Sequence, residues 1–194
     1  MQPLREWLFR TVADELTLKG YNGINFKQIA GAGGMSVEQV RSLFPDQRSL
    51  MTKLVDEISE AQKDFILPHL HEKDPAEERI IQFITRSLDF SDNHPNLVQV
   101  IVLALLGNDP EVKEHVHEVY GRLFDLILDD LVRDGVIPVP SFPVLSDLTE
   151  VLLSVIFLGG CPRLQMDYLS FIDPRKVAIS TLSAMRKRYA VPMN

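Results

Sequence analysis

Apolar residues in this chain recur at every third or fourth position, and almost nowhere do they alternate. That period gathers them onto one stripe of a helix rather than one face of a strand. In REWLFRTVADELTLKG, Leu8, Val12 and Leu16 fall four apart with Trp7 and Thr11 beside them, and Gly20 stops the run. Asn25 is placed to cap FKQIAGA, in which Phe26 and Ile29 share a face. Gly33 and Gly34 break that helix. Ser36 caps the next, VEQVRSLF, whose Val40 and Phe44 point inward together. Asp46 opens QRSLMTKLVDEISEAQKDFIL, with Leu50, Leu54, Ile58 and Ala61 along one side and Pro68 at its end. This helix crosses residue 50 without a Gly/Ser-rich linker, so any boundary there lies inside continuous helix.

The same period continues downstream. PAEERIIQFITRSLDFS has Pro75 in a permitted first-turn position, and NLVQVIVLALLG is apolar enough to be buried. A long helix is expected from Asp109 and Pro110 to Gly135. VIPVPSFPVLSD is too rich in proline to be helical throughout, whereas LTEVLLSVIFLGG and DPRKVAISTLSAMRKRY read as helices again. The expected class is all-α.

Composition narrows what such a chain does. At 194 residues and 45% hydrophobic it can bury a core of one or two small domains. A net charge of −7 argues against a protein that coats nucleic acid without specificity, though not against a small local footprint on it. The one cysteine, Cys161, allows no disulfide framework within the chain and reads as a small buried hydrophobe. MQPLREWLFRTVADE lacks the pattern of a signal peptide, and VIVLALLG and VLLSVIFLGG are too short to span a bilayer. A cytoplasmic setting without membrane contact is expected.

Three helices within the first 45 residues, with a tight turn between the second and third, make a helix-turn-helix candidate. Ile29, Ala30, Val40 and Phe44 would form its seam, Gly33, Gly34 and Met35 its turn. In such a unit the third helix enters the major groove of double-stranded DNA. The free amides behind Ser36 suit a phosphate. Outward on that helix stand Val37, for a thymine methyl, Glu38, for a cytosine amine, Gln39, for adenine, Arg41, for guanine or phosphate, and Ser42. Lys27 would touch the backbone. Residues 1–60 carry seven Lys and Arg against eight Asp and Glu, so any positive patch is local. On these residues alone, an inert three-helix packing module stays open beside a DNA reader.

Over residues 7 to 55 the chain resembles the TetR family of transcriptional regulators. LKGY closes the first helix, Ile29 and Ala30 match an Ile-Ala pair in the second, and Ala32 to Ser36 match the turn. Phe44, Pro45, Asp46 and Leu50 follow in register. The departures are on the DNA side. The family often has tyrosine at Arg41, an aromatic at Leu43 and a phosphate-binding lysine at Gln47.

The resemblance implies a DNA-binding domain over residues 1–50 and a helical effector-binding and dimerisation domain over residues 51–194. It implies a homodimer through helices near 145–158 and 173–189, presenting two recognition helices to a palindromic operator. The function implied is a ligand-responsive regulator acting as a repressor. The alternative is a TetR-like helical dimer that has weakened or lost DNA binding and acts through small molecules or proteins.

An effector cavity is implied among the middle helices, with Phe83, Leu103, Tyr120, Phe124, Phe157 and Met166 as candidate lining. Each is also ordinary core material. Their apolar character suits a hydrophobic or aromatic effector. His69 and His71, like His115 and His117, stand two apart and diverge on a helix, so neither pair clamps a metal. No HExxH, phosphate-cradling loop or nucleophile elbow occurs, and no cofactor, metal or catalytic residue is expected.

Overall fold

The computed structural model describes residues 3–134, apart from 21, 22 and 72, and the isolated positions 176, 180 and 183. The described residues are all helix and connection. The order is α1 (Pro3–Lys19), α2 (Phe26–Ala32), α3 (Val37–Leu43), α4 (Gln47–Ile66), α5 (Ala76–Asn93), α6 (Pro95–Leu106) and α7 (Pro110–Arg133). A 3-10 turn, Leu67–His69, carries Pro68 and closes α4. The expected helices near 145–158 and 173–189 lie outside the described residues, apart from helical positions at 176, 180 and 183.

The three expected caps are in place. The Asn25 side chain accepts from the Lys27 amide at 2.9 Å, and Asp46 accepts from the Ser49 amide at 2.8 Å and its hydroxyl at 2.7 Å. Each satisfies an amide that the first helical turn leaves without a partner. At Gly20 and Gly34 the backbone is left-handed, with φ of 73° and 59°. A side chain there would strain the chain, so these two positions need glycine. Pro75 falls one place before α5 rather than inside its first turn.

In the N-terminal head, Val12, Leu16, Ile29, Ala30, Val40 and Phe44 are buried together. That core does not end at residue 50. It is continuous with Leu50, Leu54 and Ile58 of α4 and with the buried faces of α5, α6 and α7. Helix α4 leaves the head and packs against α5, α6 and α7, while α1 lies along α6. The α1–α6 seam is polar at its edge: the Thr17 hydroxyl donates to the Gln99 side-chain oxygen at 3.3 Å, and the Asn96 side-chain amide donates to the Asp14 carboxylate at 3.2 Å.

Two polar clasps hold α4 to α7. Arg48 reaches Asp109 at 2.9 Å and Glu111 at 2.5 Å, and His115 meets Asp56 at 2.8 Å. Asp109 serves twice, since its other oxygen caps α7 through the Glu111 amide at 3.1 Å. No helix among the described residues is long and apolar enough to cross a membrane.

Candidate recognition surface and junction groove

Helix α3 is short, and its start is fixed by a reciprocal pair of hydrogen bonds. The Gln39 amide donates to the Ser36 hydroxyl at 3.2 Å, while the Ser36 amide donates to the Gln39 side-chain oxygen at 2.7 Å. This capping box is written as S-x-x-Q at residues 36 to 39, a signature the expectation of an outward, adenine-reading Gln39 passed over. Reading adenine takes both ends of the amide, so Gln39 must release the box to do it. The cap is worth about 1 kcal/mol. A bidentate base contact discriminates by about 1–3 kcal/mol. The exchange is close to balanced.

The other candidates divide in the same way. Lys27, Ser36, Glu38, Gln39, Arg41 and Ser42 are exposed, and Val37 and Gln47 are half-buried. Arg41 lays its guanidinium 5.6 Å from the centre of the Phe26 ring. An exposed cation–π contact holds by about 0.5–1 kcal/mol. A charge-assisted hydrogen bond is worth about 1.5–3 kcal/mol, so Arg41 would leave the ring for a phosphate or base edge. The Ser42 hydroxyl donates to the Gln39 carbonyl at 2.7 Å. Glu38's own backbone amide, and then the Ser36 hydroxyl, hold its carboxyl below the ordinary carboxylate range. Its charge therefore stays fixed at the start of α3, where a phosphate would otherwise be favoured. Leu43, an aromatic in the resembling family, is 55% exposed.

In the body, Phe83, Tyr120 and Phe124 are buried, and Leu103 packs half-buried against the same core. The rings of Phe83 and Phe124 meet edge to face at 5.7 Å, and Tyr120 sits 6.2 Å from Phe124. Burial pushes the Tyr120 phenol far above its ordinary pKa, so it is neutral. These side chains belong to the core that α5, α6 and α7 share among the described residues. Phe157 and Met166 lie outside the described residues.

Among the described residues, a groove lies at the junction of head and body. It measures about 510 Å³ and is floored by Ala13 of α1, Ile58, Ala61 and Phe65 of α4, and Phe90 and Leu97 at the α5–α6 corner. Its rim carries Arg10, Asp14, Glu57, Asn93, His94 and Asn96. Phe65 and Phe90 meet edge to face at 5.7 Å, and the His94 ring tilts against Phe90 at 4.7 Å. Three chain segments far apart in sequence assemble this groove, so no local pattern announces it. Among the described residues no three His, Cys, Asp or Glu side chains converge as metal ligands.

No family model and no curated protein matches the sequence. Solved structures do match its fold. The fatty acid degradation regulator FadR from Bacillus halodurans shares 17% identity, with 96% of this chain and 98% of that one covered at a TM-score of 0.76. FadR from Bacillus subtilis, solved with stearoyl-CoA, shares 16% over 93% and 97% of the chains at 0.70. FadR from Thermus thermophilus, a TetR-family transcriptional repressor solved with lauroyl-CoA, shares 17% over 98% and 97% at 0.66. The all-α fold, with short N-terminal helices and a long α4 leading into a helical bundle, is the fold of these regulators.

Proposed function

We propose that the chain is a ligand-responsive transcriptional regulator of the TetR kind, a repressor that binds a palindromic operator as a homodimer. The observation that carries this is the α2–turn–α3 unit, capped and glycine-turned, on a fold shared along its whole length with FadR regulators. Residues 1–50 would form the DNA-binding head, and residues 51–194 the effector-binding and dimerisation part. Lys27, Ser36, Val37, Glu38, Gln39, Arg41, Ser42 and Gln47 are the proposed DNA side. Dimerisation is assigned to the helices near 145–158 and 173–189. The effector is proposed to be hydrophobic, with Phe83, Leu103, Tyr120, Phe124, Phe157 and Met166 as its lining. Stearoyl-CoA and lauroyl-CoA, bound by two of the structural relatives, make fatty acyl thioesters the first class to test.

Signal transfer would be mechanical. The head is tied to the body by α4, by the Arg48 clasp on α7 and by the α1–α6 seam. An effector that prefers one body arrangement would shift the separation of the two recognition helices and so the DNA affinity.

The test is a fluorescence anisotropy titration against duplexes from the gene's own neighbourhood, at several salt concentrations. Specific binding that falls steeply with salt, and weakens about tenfold in Arg41→Ala, is the expected result. Equal weak binding to every duplex would support the second reading, a helical dimer without operator recognition. That reading is favoured by one observation: Gln39, Arg41 and Ser42 are all engaged within the head.

A further inference from the structure

We propose that Gln62 selects the effector: the molecule that the body binds carries an uncharged hydroxyl or amide on an otherwise apolar frame, and that group donates a hydrogen bond to the Gln62 side-chain oxygen. This rests on the reading of the body as effector-binding and adds the chemistry of the effector. Gln62 stands in the middle of the buried face of α4. Met51, Val55, Ile58, Gln62 and Ile66 follow one another at steps of three or four, so they form one stripe, and the other four are apolar. Gln62 is 1% exposed, yet its side-chain oxygen has no hydrogen-bond partner among the described residues. A methionine or leucine would fill the same position with no polar atom to satisfy. A buried acceptor is costly to the fold unless something donates to it.

The surroundings define the donor. Arg48 meets Asp109 61 positions on, and Asp56 meets His115 59 positions on, so α4 and α7 run in the same direction. The same step brings Gln62 level with the turn of α7 from Tyr120 to Phe124, where the Phe83–Phe124 and Tyr120–Phe124 ring pairs lie. A carboxylate, a phosphate or an ether offers the Gln62 oxygen only lone pairs. An ammonium would donate, but among these aliphatic and aromatic side chains its charge would lose its hydration. A hydroxyl or an amide N–H donates without charge. A site that bonds such a group discriminates against the analogue lacking it, because its own polar atom is then left unpaired.

Calorimetric titration of the full chain tests this with two isomers: 1-octanol, which donates, and 1-methoxyheptane, which accepts but does not donate. The wild type should bind 1-octanol about three- to tenfold more tightly, the worth of one hydrogen bond. Gln62→Met keeps the length of the side chain and removes the acceptor, so it should bind the two isomers equally. Without ligand it should melt no lower than the wild type, because an apolar group replaces an unpartnered oxygen. A lower melting point in both Gln62→Met and Gln62→Leu would show that the oxygen is already bonded within the protein, and would overturn the proposal. So would equal affinity of the isomers for the wild type, or a preference for 1-octanol that survives in Gln62→Met. Heat from lauroyl-CoA with none from 1-octanol overturns this proposal alone. Heat from none of the three removes the effector reading with it.

Discussion

Gly34 shows how much one residue can hold in this head. Its φ of 59° turns the chain between α2 and α3, and a Cβ there would meet nothing within 4 Å. Gly34→Ala therefore isolates backbone strain from any clash. It should destabilise the protein by about 1 kcal/mol, read from the urea midpoint. Ser36 is the second such residue. Ser36→Ala removes half of the capping box and should cost about 1 kcal/mol, whereas Ser36→Gly should cost only a few tenths. If both substitutions cost the same, the hydroxyl is not the cap. Both residues were legible, because turn and cap chemistry is local and is written in adjacent letters. Gln39 was legible too, through its spacing from Ser36, yet its outward helical position suggested a different use. Arg41's contact with Phe26 was not legible, since two side chains fifteen positions apart meet only once α2 and α3 have packed.

At the scale of elements, caps and periods predicted each helix from α1 to α7 with ends shifted by at most two residues. What the sequence could not express was which helix faces which. The clasp from Arg48 to Asp109 spans 61 positions, and it exists because α7 begins beside the start of α4. Helix α4 also has an acid sensitivity at its first turn. The Ser49 amide, and then its hydroxyl, hold the Asp46 carboxyl below its ordinary value. A carboxyl with a depressed folded pKa stabilises fully above its unfolded pKa, about 3.9, and loses that contribution as the pH falls through the folded value. Asp46→Asn keeps a cap without the titration. Its stability should therefore fall less steeply than that of the wild type as the pH drops below about 4, as denaturation midpoints at several pH values will show.

For the whole molecule, the aromatic residues between α5 and α7 separate two uses of the same letters. Phe83 and Phe124 were candidates for lining a cavity, and they sit edge to face within the core. Phe124→Ala should cost about 3–5 kcal/mol in thermal or chemical denaturation, the usual loss for a buried ring. A cost below about 1 kcal/mol would instead mark the ring as the wall of a space that the core does not need filled. Apolar spacing is the same in both cases, which is why the sequence did not separate them. The groove at the junction went unforeseen for a related reason: its walls come from α1, α4 and the α5–α6 corner, and none of them is unusual alone.

The seam between α1 and α6 bears on how such regulators are recombined. Cutting at residue 50 and grafting the first segment onto another body looks natural, because the recognition unit ends there. Yet Thr17 and Asp14 would arrive without Gln99 and Asn96, and the shared core would be split between two parents. A transplantable reader of operators from this chain has to bring the inner face of α6 with it. Its exchangeable cassette is therefore discontinuous in sequence.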